Sequence, residues 1–388
     1  MNDTRDRRRL ILLALIVGVA YIFYNAMPMI LKSAGDTLAL SEARLGYLAS
    51  SYLLGSVLSN TLATLWVRRL NWRYAVGGST LIAALGYALG GFVDYSVLLL
   101  LMFIVGAANA AIVSCIITFI GDRDDATQGF AYMVGVQNVF AGAWSFLLPL
   151  LVIPFWSYTG VALTLALGAV LMLPLLRYLP TTPPQAPLAA ATKNSARASA
   201  RLLWSFIALF CYYLGQSGIW AFFGRIGGDG GLSDLELGFV FGFTLLTGAV
   251  GGFMAAWCMP LSDRRILLTV GIVAGIVPLV ILLLPFGTQL WPFTLAVFLF
   301  CVSWNFLSPY FMTIISEHDI HGRYAALIPA VQLLGSVIGP ALAGNIVRNG
   351  DYHPVYWFAI MSVLLSLVIF IAVDERKIKT EPVFEPAT

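Results

Sequence analysis

The sequence predicts an all-α integral membrane protein of twelve transmembrane helices, arranged as two six-helix bundles related by a pseudo-twofold axis. Three observations predict this class: the composition, the spacing of apolar segments and a polar connector at the centre of the chain. Of the 388 residues, 60% are hydrophobic and only 11% are charged, whereas soluble domains carry about 25% charged residues. This imbalance indicates that lipid covers much of the surface.

The apolar segments are long enough to cross a bilayer. A hydrocarbon core about 30 Å thick needs about 20 apolar residues per helix. Such segments occur at 10–31, 46–66, 74–93, 97–119, 129–153 and 157–176, and again at 202–223, 237–258, 266–286, 291–315, 324–347 and 354–373. We therefore expect six spans on each side of the connector.

The connector comprises residues 177–201, which include four prolines and a run of Ala, Ser and Thr. Such a segment cannot bury apolar surface or continue a helix, so we predict a solvated linker. It separates a first bundle at 1–176 from a second bundle at 202–388, which ends in a short tail.

The two bundles repeat each other in sequence. LSEARLGYLASSYLLGS begins at Leu40, and LSDLELGFVFGFTLLTG begins at Leu232. Ser41 and Ser233 each stand where they can cap the following helix, and Ser233 with Glu236 forms a capping box. The repeat indicates a duplication in which both halves keep the same orientation.

The cations are distributed unevenly between the two ends of the spans. With the N-terminus inside, 18 of the 22 Lys and Arg residues fall in cytoplasmic segments, and only Lys32, Arg44, Arg225 and Arg348 fall outside. Cytoplasmic loops are enriched in Lys and Arg. We therefore predict a multi-pass protein of the cytoplasmic (inner) membrane, with both termini and the linker in the cytoplasm. The net charge of +3 does not indicate a nucleic-acid partner.

The loop after the second span reads TLWVRRLNWR over 64–73. It resembles the Gly-x-x-x-Asp-Arg-x-Gly-Arg-Arg motif of the major facilitator superfamily of secondary transporters, in a degenerate form that keeps Arg69 and Arg73. The corresponding loop of the second half has Asp263, Arg264 and Arg265. The resemblance extends over essentially the whole chain, and it implies a gating role for these loops. It also implies a central cavity that opens alternately to each side.

Polar side chains inside the spans are neutral, since every Asp, Glu, Lys and Arg can be assigned to a loop, a tail or a helix end. A charge at mid-bilayer costs about 2.5 to 3.5 kcal/mol, so a buried carboxylate relay is disfavoured. Neutral polar and aromatic groups near the midplane lie on helices that line the cavity of the resembled fold. We predict that they bind substrate: Tyr21, Tyr24, Asn25, Asn109, Gln137, Asn138, Tyr213, Gln216, Trp220, Trp304, Asn305 and Gln332.

Each of these residues also has a structural interpretation. A single Asn or Gln in a membrane helix commonly holds neighbouring helices together, at about 0.6 kcal/mol on average. Tyr and Trp near span ends anchor the helix at the interface, and Trp220 is open to that interpretation. The group is a stronger prediction than its members, because several helices place polar groups at one depth.

Glu317, His318, Asp319 and His321 form a dense titratable group after the tenth span. A solvated loop is the simpler interpretation, and His318 is the candidate for a proton-linked role because His titrates near neutral pH. The four cysteines lie far apart without metal-ligand spacing. We predict neither a metal nor a cofactor.

These observations predict a monomeric transporter that moves a small organic solute, neutral polar or aromatic, by alternating access. Efflux of amphiphilic compounds is the alternative within the same class. A membrane enzyme is disfavoured because the spans hold no His, Asp or Glu for catalysis, and a receptor is disfavoured because the loops are too short to form a signalling domain. The partners are the bilayer and the solute, with a coupling proton left open.

Overall fold

A computed structural model of the chain describes residues 2–123, 126–181, 200–258, 264–318 and 327–375. Helices account for nearly all of these residues. In chain order they are α1 (Asn2–Ala20), α2 (Ile22–Asn25), α3 (Met27–Leu38), α4 (Glu42–Trp66), α5 (Trp72–Gly90), α6 (Tyr95–Gly121), α7 (Ala126–Leu151), α8 (Ile153–Met172), a 3-10 turn (Leu173–Tyr178), α9 (Ala200–Asp229), α10 (Asp234–Thr247), α11 (Val250–Cys258), α12 (Arg264–Leu283), α13 (Leu290–His318), α14 (Ile328–Ile346) and α15 (His353–Glu375).

Each of the twelve predicted spans coincides with one or more of these helices, which confirms the all-α membrane class. In the described ranges, nine helical stretches are long and apolar enough to cross a membrane. The first three predicted spans are helical but are not among the nine. The first is interrupted, and α4 and α5 contain more polar and small residues.

The first span is helical but is not one continuous helix. It is interrupted at Tyr21 and at Ala26, and it continues as α3 to Leu38. Pro28 follows the second interruption, and proline has no N–H with which to bond the carbonyl of Tyr24 four residues earlier. The interruption therefore leaves backbone groups near the middle of the bundle for other partners.

Of the two predicted helix N-caps, the structure forms one and not the other. Ser233 and Glu236 form the expected capping box at the start of α10, where the Ser233 N–H donates to Glu236 Oε2 at 2.8 Å. Ser41 occupies the N-cap position of α4 but makes no side-chain cap bond. At this end of the helix, the neighbouring Glu42 instead accepts from Arg225 at 3.2 Å.

The two halves meet closely at one end of the bundle, which we call the Arg225 end; the opposite end, where Tyr178 and Arg73 lie, is the linker end. Gly46 on α4 lies against the backbone of Pro340 on α14, so that a Cβ at Gly46 would clash with the Pro340 carbonyl. Gly344 packs in the same way against the Glu42 backbone. These glycines permit the close approach of helices from opposite halves.

The apolar cores follow the same division. The main core contains residues of both halves, including Phe23, Tyr52, Trp220 and Phe300. Two further cores lie toward the linker end, and each belongs to one half. The halves are therefore packed together at the Arg225 end and separately at the linker end.

Candidate functional site: a central cavity between the halves

A cavity of ≈ 260 Å³ lies between the two halves, with walls from five helices and the α10–α11 junction. From the first half, α2 and α7 contribute; from the second half, α9, α10 and α13 contribute. The lining residues are Tyr24, Asn25, Val134, Gln137, Asn138, Trp220, Thr244, Leu245, Gly248, Cys301, Trp304 and Asn305. None of them is charged, so the walls favour an uncharged ligand.

Side-chain amides supply most of the hydrogen-bonding capacity of the cavity. The Asn305 amide donates to the Cys301 carbonyl at 2.9 Å, and the Asn25 Nδ2 group is inaccessible to solvent without a partner. The side chains of Gln137 and Asn138, both within α7, make no hydrogen bond within the described ranges. Because an amide both donates and accepts, these groups can bind hydroxyl, carbonyl or ring N–H groups of a solute.

Aromatic rings form the opposite part of the wall and hold one another in place. Trp220 stacks on Phe300 with ring centroids 6.2 Å apart and an interplanar angle of 2°. Trp304 meets Phe300 edge-on at 5.6 Å and Tyr213 edge-on at 5.8 Å. The two tryptophans therefore present fixed apolar surfaces beside the amides.

The helix interruption positions the first-half side of the cavity. The Tyr24 carbonyl, released from the helix by Pro28, accepts a hydrogen bond from the Trp220 indole Nε1 at 3.1 Å. This bond joins the two halves at the cavity wall. Tyr24 and Asn25 thus lie on a short helix that is bonded to a residue of the other half.

Seven of the predicted site residues line the cavity: Tyr24, Asn25, Gln137, Asn138, Trp220, Trp304 and Asn305. Tyr213 and Gln332 lie behind this wall and bind each other, with Gln332 Nε2 donating to the Tyr213 hydroxyl at 2.9 Å. Tyr21 is half-buried at the first helix interruption. These three residues are not among the residues that line the cavity.

Asn109 and Gln216 are almost fully buried and do not line the cavity. Asn109 Nδ2 donates to the hydroxyls of Tyr52 and Tyr87 at 3.1 and 3.0 Å, all within the first half. Gln216 is 1% exposed on α9. For Asn109 these contacts match the structural interpretation of a membrane amide rather than solute binding.

Sequence reasoning missed an ion-pair network at the Arg225 end. The Arg225 guanidinium binds Asp36 at 2.5 Å and Glu42 at 3.2 Å, and Lys32 binds Asp36 and Asp234, each at 2.7 Å. Three of these four pairs join the first half to the second. Lys32 and Arg225 are two of the only four cations that the sequence assigns to the outer side. Because cations are rare on that side, these two could have been examined for specific partners.

Lys32 lies between the two halves in this network. Its side chain is 13% exposed and binds one carboxylate from each half, Asp36 and Asp234. The paired carboxylates compensate for the partial burial of the charge, so Lys32 helps to join the halves at the Arg225 end.

At the linker end, the polar contacts in the described ranges lie within one half or reach the start of the linker. Arg68 forms a two-pronged pair with Asp122 at 2.7 and 2.9 Å, both in the first half. Arg73 donates to the carbonyls of Leu179 and Arg177 at 2.7 and 2.9 Å, which fixes the start of the linker to α5. Arg69 is exposed.

The contacts of the remaining predicted loop residues lie outside the part of the chain that the structure describes. Asp263 lies outside the described residues, as do the side chains of Arg264, Arg265 and His318. Within the part that the structure describes, no three His, Cys, Asp or Glu side chains come together to hold a metal ion.

The sequence model of the Major Facilitator Superfamily matches residues 11–328 and 205–387. The chain belongs to this superfamily. It is therefore a transporter and not an enzyme, and the resemblance drawn from its spans and loops is confirmed. No curated protein sequence matches the chain.

Solved superfamily structures share this fold at low identity. The nucleoside transporter NupG is 14% identical, with a TM-score of 0.75 over 95% of this chain and 99% of its own. A bacterial homologue of the human lysosomal transporter Spinster, solved inward-facing and unoccupied, is 16% identical, with a TM-score of 0.72 over 98% of this chain and 99% of its own. A D-xylose-proton symporter is 16% identical, with a TM-score of 0.74 over 93% of this chain and 97% of its own.

Proposed function

We propose that this superfamily member carries a small uncharged solute, polar or aromatic, by alternating access through the central cavity. The observation that carries the proposal is the lining itself, which combines side-chain amides with two fixed tryptophans and contains no charged side chain. Ligand pockets commonly measure about 300 to 1,000 Å³. The cavity, at ≈ 260 Å³, suits a solute with one or two rings.

The similar structures support an uncharged solute in a general way. One is a nucleoside transporter and another is a D-xylose symporter, and both nucleosides and xylose are uncharged and rich in hydroxyl groups. Amides beside a flat aromatic surface fit this chemistry, because hydroxyls need donors and acceptors while ring faces need apolar contact.

We further propose that the structure is the inward-facing state of a monomer in the inner membrane. The linker end carries the cation-rich loops, which supports a cytoplasmic position for this end and for both termini. Within the described residues, the ion pairs between the halves lie at the Arg225 end, which supports the linker end as the side that opens. Transport requires that these pairs break while contacts form at the linker end.

The coupling ion is a separate matter. No Asp, Glu or His belongs to the cavity lining, so a coupling proton would have to bind elsewhere, and His318 is the candidate from the sequence. Comparing solute uptake into liposomes with and without an inward pH gradient tests this. Equal rates would exclude proton coupling, whereas uptake that needs the gradient and is lost in His318→Gln would identify a proton symporter.

The experiment that tests the proposal is a thermal-stability screen of the purified protein followed by liposome counterflow. The panel contains nucleosides, sugars, amino acids, aromatic and aliphatic acids and lipophilic cations, because a ligand of the folded state raises its apparent stability. We expect an uncharged metabolite to stabilise the protein and to exchange in counterflow. Responses confined to lipophilic cations would favour efflux, and responses confined to charged metabolites would overturn the proposal.

A further inference from the structure

A second cavity, of ≈ 290 Å³, lies outside the central site, between α1, α2, α7 and α8 of the first half. Its walls are apolar apart from the hydroxyl of one threonine and the indole N–H of one tryptophan. We call it the leucine groove, and its lining residues are Val19, Ile22, Phe140, Ala143, Trp144, Leu147, Leu148, Leu151, Val152, Thr164, Leu165, Leu167, Gly168 and Leu171. The central cavity shares none of these residues.

The groove opens sideways, away from the bundle axis. Its rim is formed by Leu151, Leu167 and Leu171, which are 60%, 57% and 59% exposed, whereas Leu148 and Leu165 at its floor are 1% and 3% exposed. The rim residues belong to helices that are long and apolar enough to span the membrane. In a membrane this opening faces the hydrocarbon layer.

The chemistry of the walls disfavours a polar occupant. Thr164 and Trp144 carry the polar groups of the lining. The Thr164 hydroxyl donates to the Val161 carbonyl at 2.9 Å, so the Trp144 indole N–H is the remaining side-chain donor. No charged side chain is present among the lining residues. A headgroup or a hydrated solute would lose hydrogen bonds to water without replacement.

The length of the groove matches one leaflet. Along α7 its lining runs from Phe140 to Leu151, a distance of about 16 Å at 1.5 Å per residue. Half of a hydrocarbon core about 30 Å thick is about 15 Å. The groove ends at the α7–α8 turn, close to the Arg225 end, where the Tyr158 N–H donates to the Thr37 hydroxyl at 3.2 Å.

We propose that the leucine groove binds one acyl chain of a phospholipid from the leaflet on the Arg225 side. The chain lies along α7 between α1 and α8, with its end near Ile22 and Phe140. Its headgroup stays outside the groove, beyond the turn at Val152. Bound there, the chain fills a gap between α1 and α8, two helices that must keep their packing as the halves rock.

Gly168 offers a variant that fills the groove without a clash. A Cβ at this position would meet only Val19 Cγ1, at 3.8 Å, which is ordinary contact. Gly168→Leu therefore occupies the space of the proposed acyl chain. Gly78→Leu is the matched control, since a Cβ at Gly78 has no neighbour within 4 Å.

The test uses the whole protein in vesicles of phosphatidylcholine that is brominated on the acyl chain. A bromine atom in contact with a tryptophan quenches the fluorescence of that tryptophan. The contribution of Trp144 is the difference between the wild type and Trp144→Phe. We expect Trp144 to be quenched at least as strongly as Trp257, which is 71% exposed. In Gly168→Leu most of this quenching is lost, whereas Gly78→Leu keeps it.

Three results would overturn the proposal: an unquenched Trp144, equal quenching in the wild type and Gly168→Leu, or quenching relieved by a lipophilic cation. The last result would identify the groove as an entry site for amphiphilic solutes. A second measurement guards against misfolding of Gly168→Leu. Moving the bromines along the acyl chain of the wild-type vesicles must change Trp144 quenching, because a bound chain holds each carbon at one depth.

Discussion

Trp220 of the second half donates its indole N–H to the backbone carbonyl of Tyr24 in the first half, at 3.1 Å. The carbonyl is available because Pro28 cannot supply the helical N–H. The bond thus links a helix interruption to the wall of the central cavity, and it connects the proposed solute site to the contact between the halves.

Trp220→Phe removes this donor while keeping an aromatic ring beside Phe300. One net hydrogen bond contributes about 1 kcal/mol, so we expect a slightly lower melting temperature and about fivefold weaker solute binding. Isothermal titration and thermal unfolding measure the two effects. Trp257→Phe, at a site 71% exposed, is the control and should change neither quantity. Wild-type affinity in Trp220→Phe would separate this bond from the site.

Gln137 and Asn109 should behave in opposite ways. Gln137 lines the cavity and makes no hydrogen bond in the described ranges, so Gln137→Ala should weaken solute binding about tenfold with little change in stability. Asn109 is buried and bonded to Tyr52 and Tyr87, so Asn109→Ala should cost about 1 to 3 kcal/mol of stability and leave affinity unchanged. Parallel melting curves and titrations distinguish these outcomes, and the reverse pattern would remove Gln137 from the site.

The comparison of Asn109 with Asn138 shows which features of the site the sequence can predict and which it cannot. Both are amides within predicted spans, and the length of the apolar segments was enough to predict where the spans lie. Whether an amide meets two tyrosine hydroxyls or a cavity depends on which helix lies beside it, and that is a matter of tertiary packing. The partners of Arg225 could not be predicted from the sequence for the same reason, because Asp36 and Glu42 lie in the other half of the chain.

Pro28 illustrates a different limit. The proline is visible in the sequence, and it predicts a disturbed helix. The Tyr24 carbonyl that Pro28 leaves without a helical donor accepts instead from Trp220 of the other half. A local signal therefore indicated the disturbance, while the donor that bonds the released carbonyl is distant in the sequence.

Arg73→Gln should release the start of the linker from α5. Its guanidinium holds the carbonyls of Leu179 and Arg177, and a bond to a charged donor contributes about 1.5 to 3 kcal/mol. We expect trypsin to cleave after Arg177 several-fold faster, as followed by gel electrophoresis. Arg69→Gln is the control, because Arg69 is exposed and makes no ion pair in the described ranges. Equal cleavage rates in both variants would contradict this anchoring role.

Arg225→Met should favour opening at the Arg225 end. The variant loses two contacts to the first half, with Asp36 and Glu42, and leaves Lys32 paired with Asp36 and Asp234. Partly exposed pairs contribute up to about 1 kcal/mol each, which predicts roughly a tenfold shift between the two states.

Labelling of Cys301, which lines the cavity, measures this shift. A variant with Cys301 as its only cysteine is placed in oriented vesicles, and an impermeant maleimide is added from the Arg225 side. We expect faster labelling in Arg225→Met. Arg348→Met, also predicted on this side, is the control for lost charge. If both variants label at the rate of the parent, the network does not hold this end closed.

Gly46→Leu tests closure at the same end by steric means. Any Cβ at Gly46 would clash with the Pro340 carbonyl of the other half, and backbone cannot yield as a flexible side chain can. The variant should therefore be held open at the Arg225 end. We expect solute flux to fall at least tenfold, while Cys301 labelling from the Arg225 side rises above that of the wild type.

The two readouts distinguish a trapped transporter from a misfolded one. A misfolded protein would lose flux together with its cooperative melting transition, whereas a trapped one melts cooperatively and still binds solute. Gly344→Leu, which would meet the Glu42 backbone, should act in the same way, and Gly78→Leu should transport normally. Normal flux in Gly46→Leu would mean that the halves part elsewhere, because alternating access requires the α4–α14 contact to close once in every cycle.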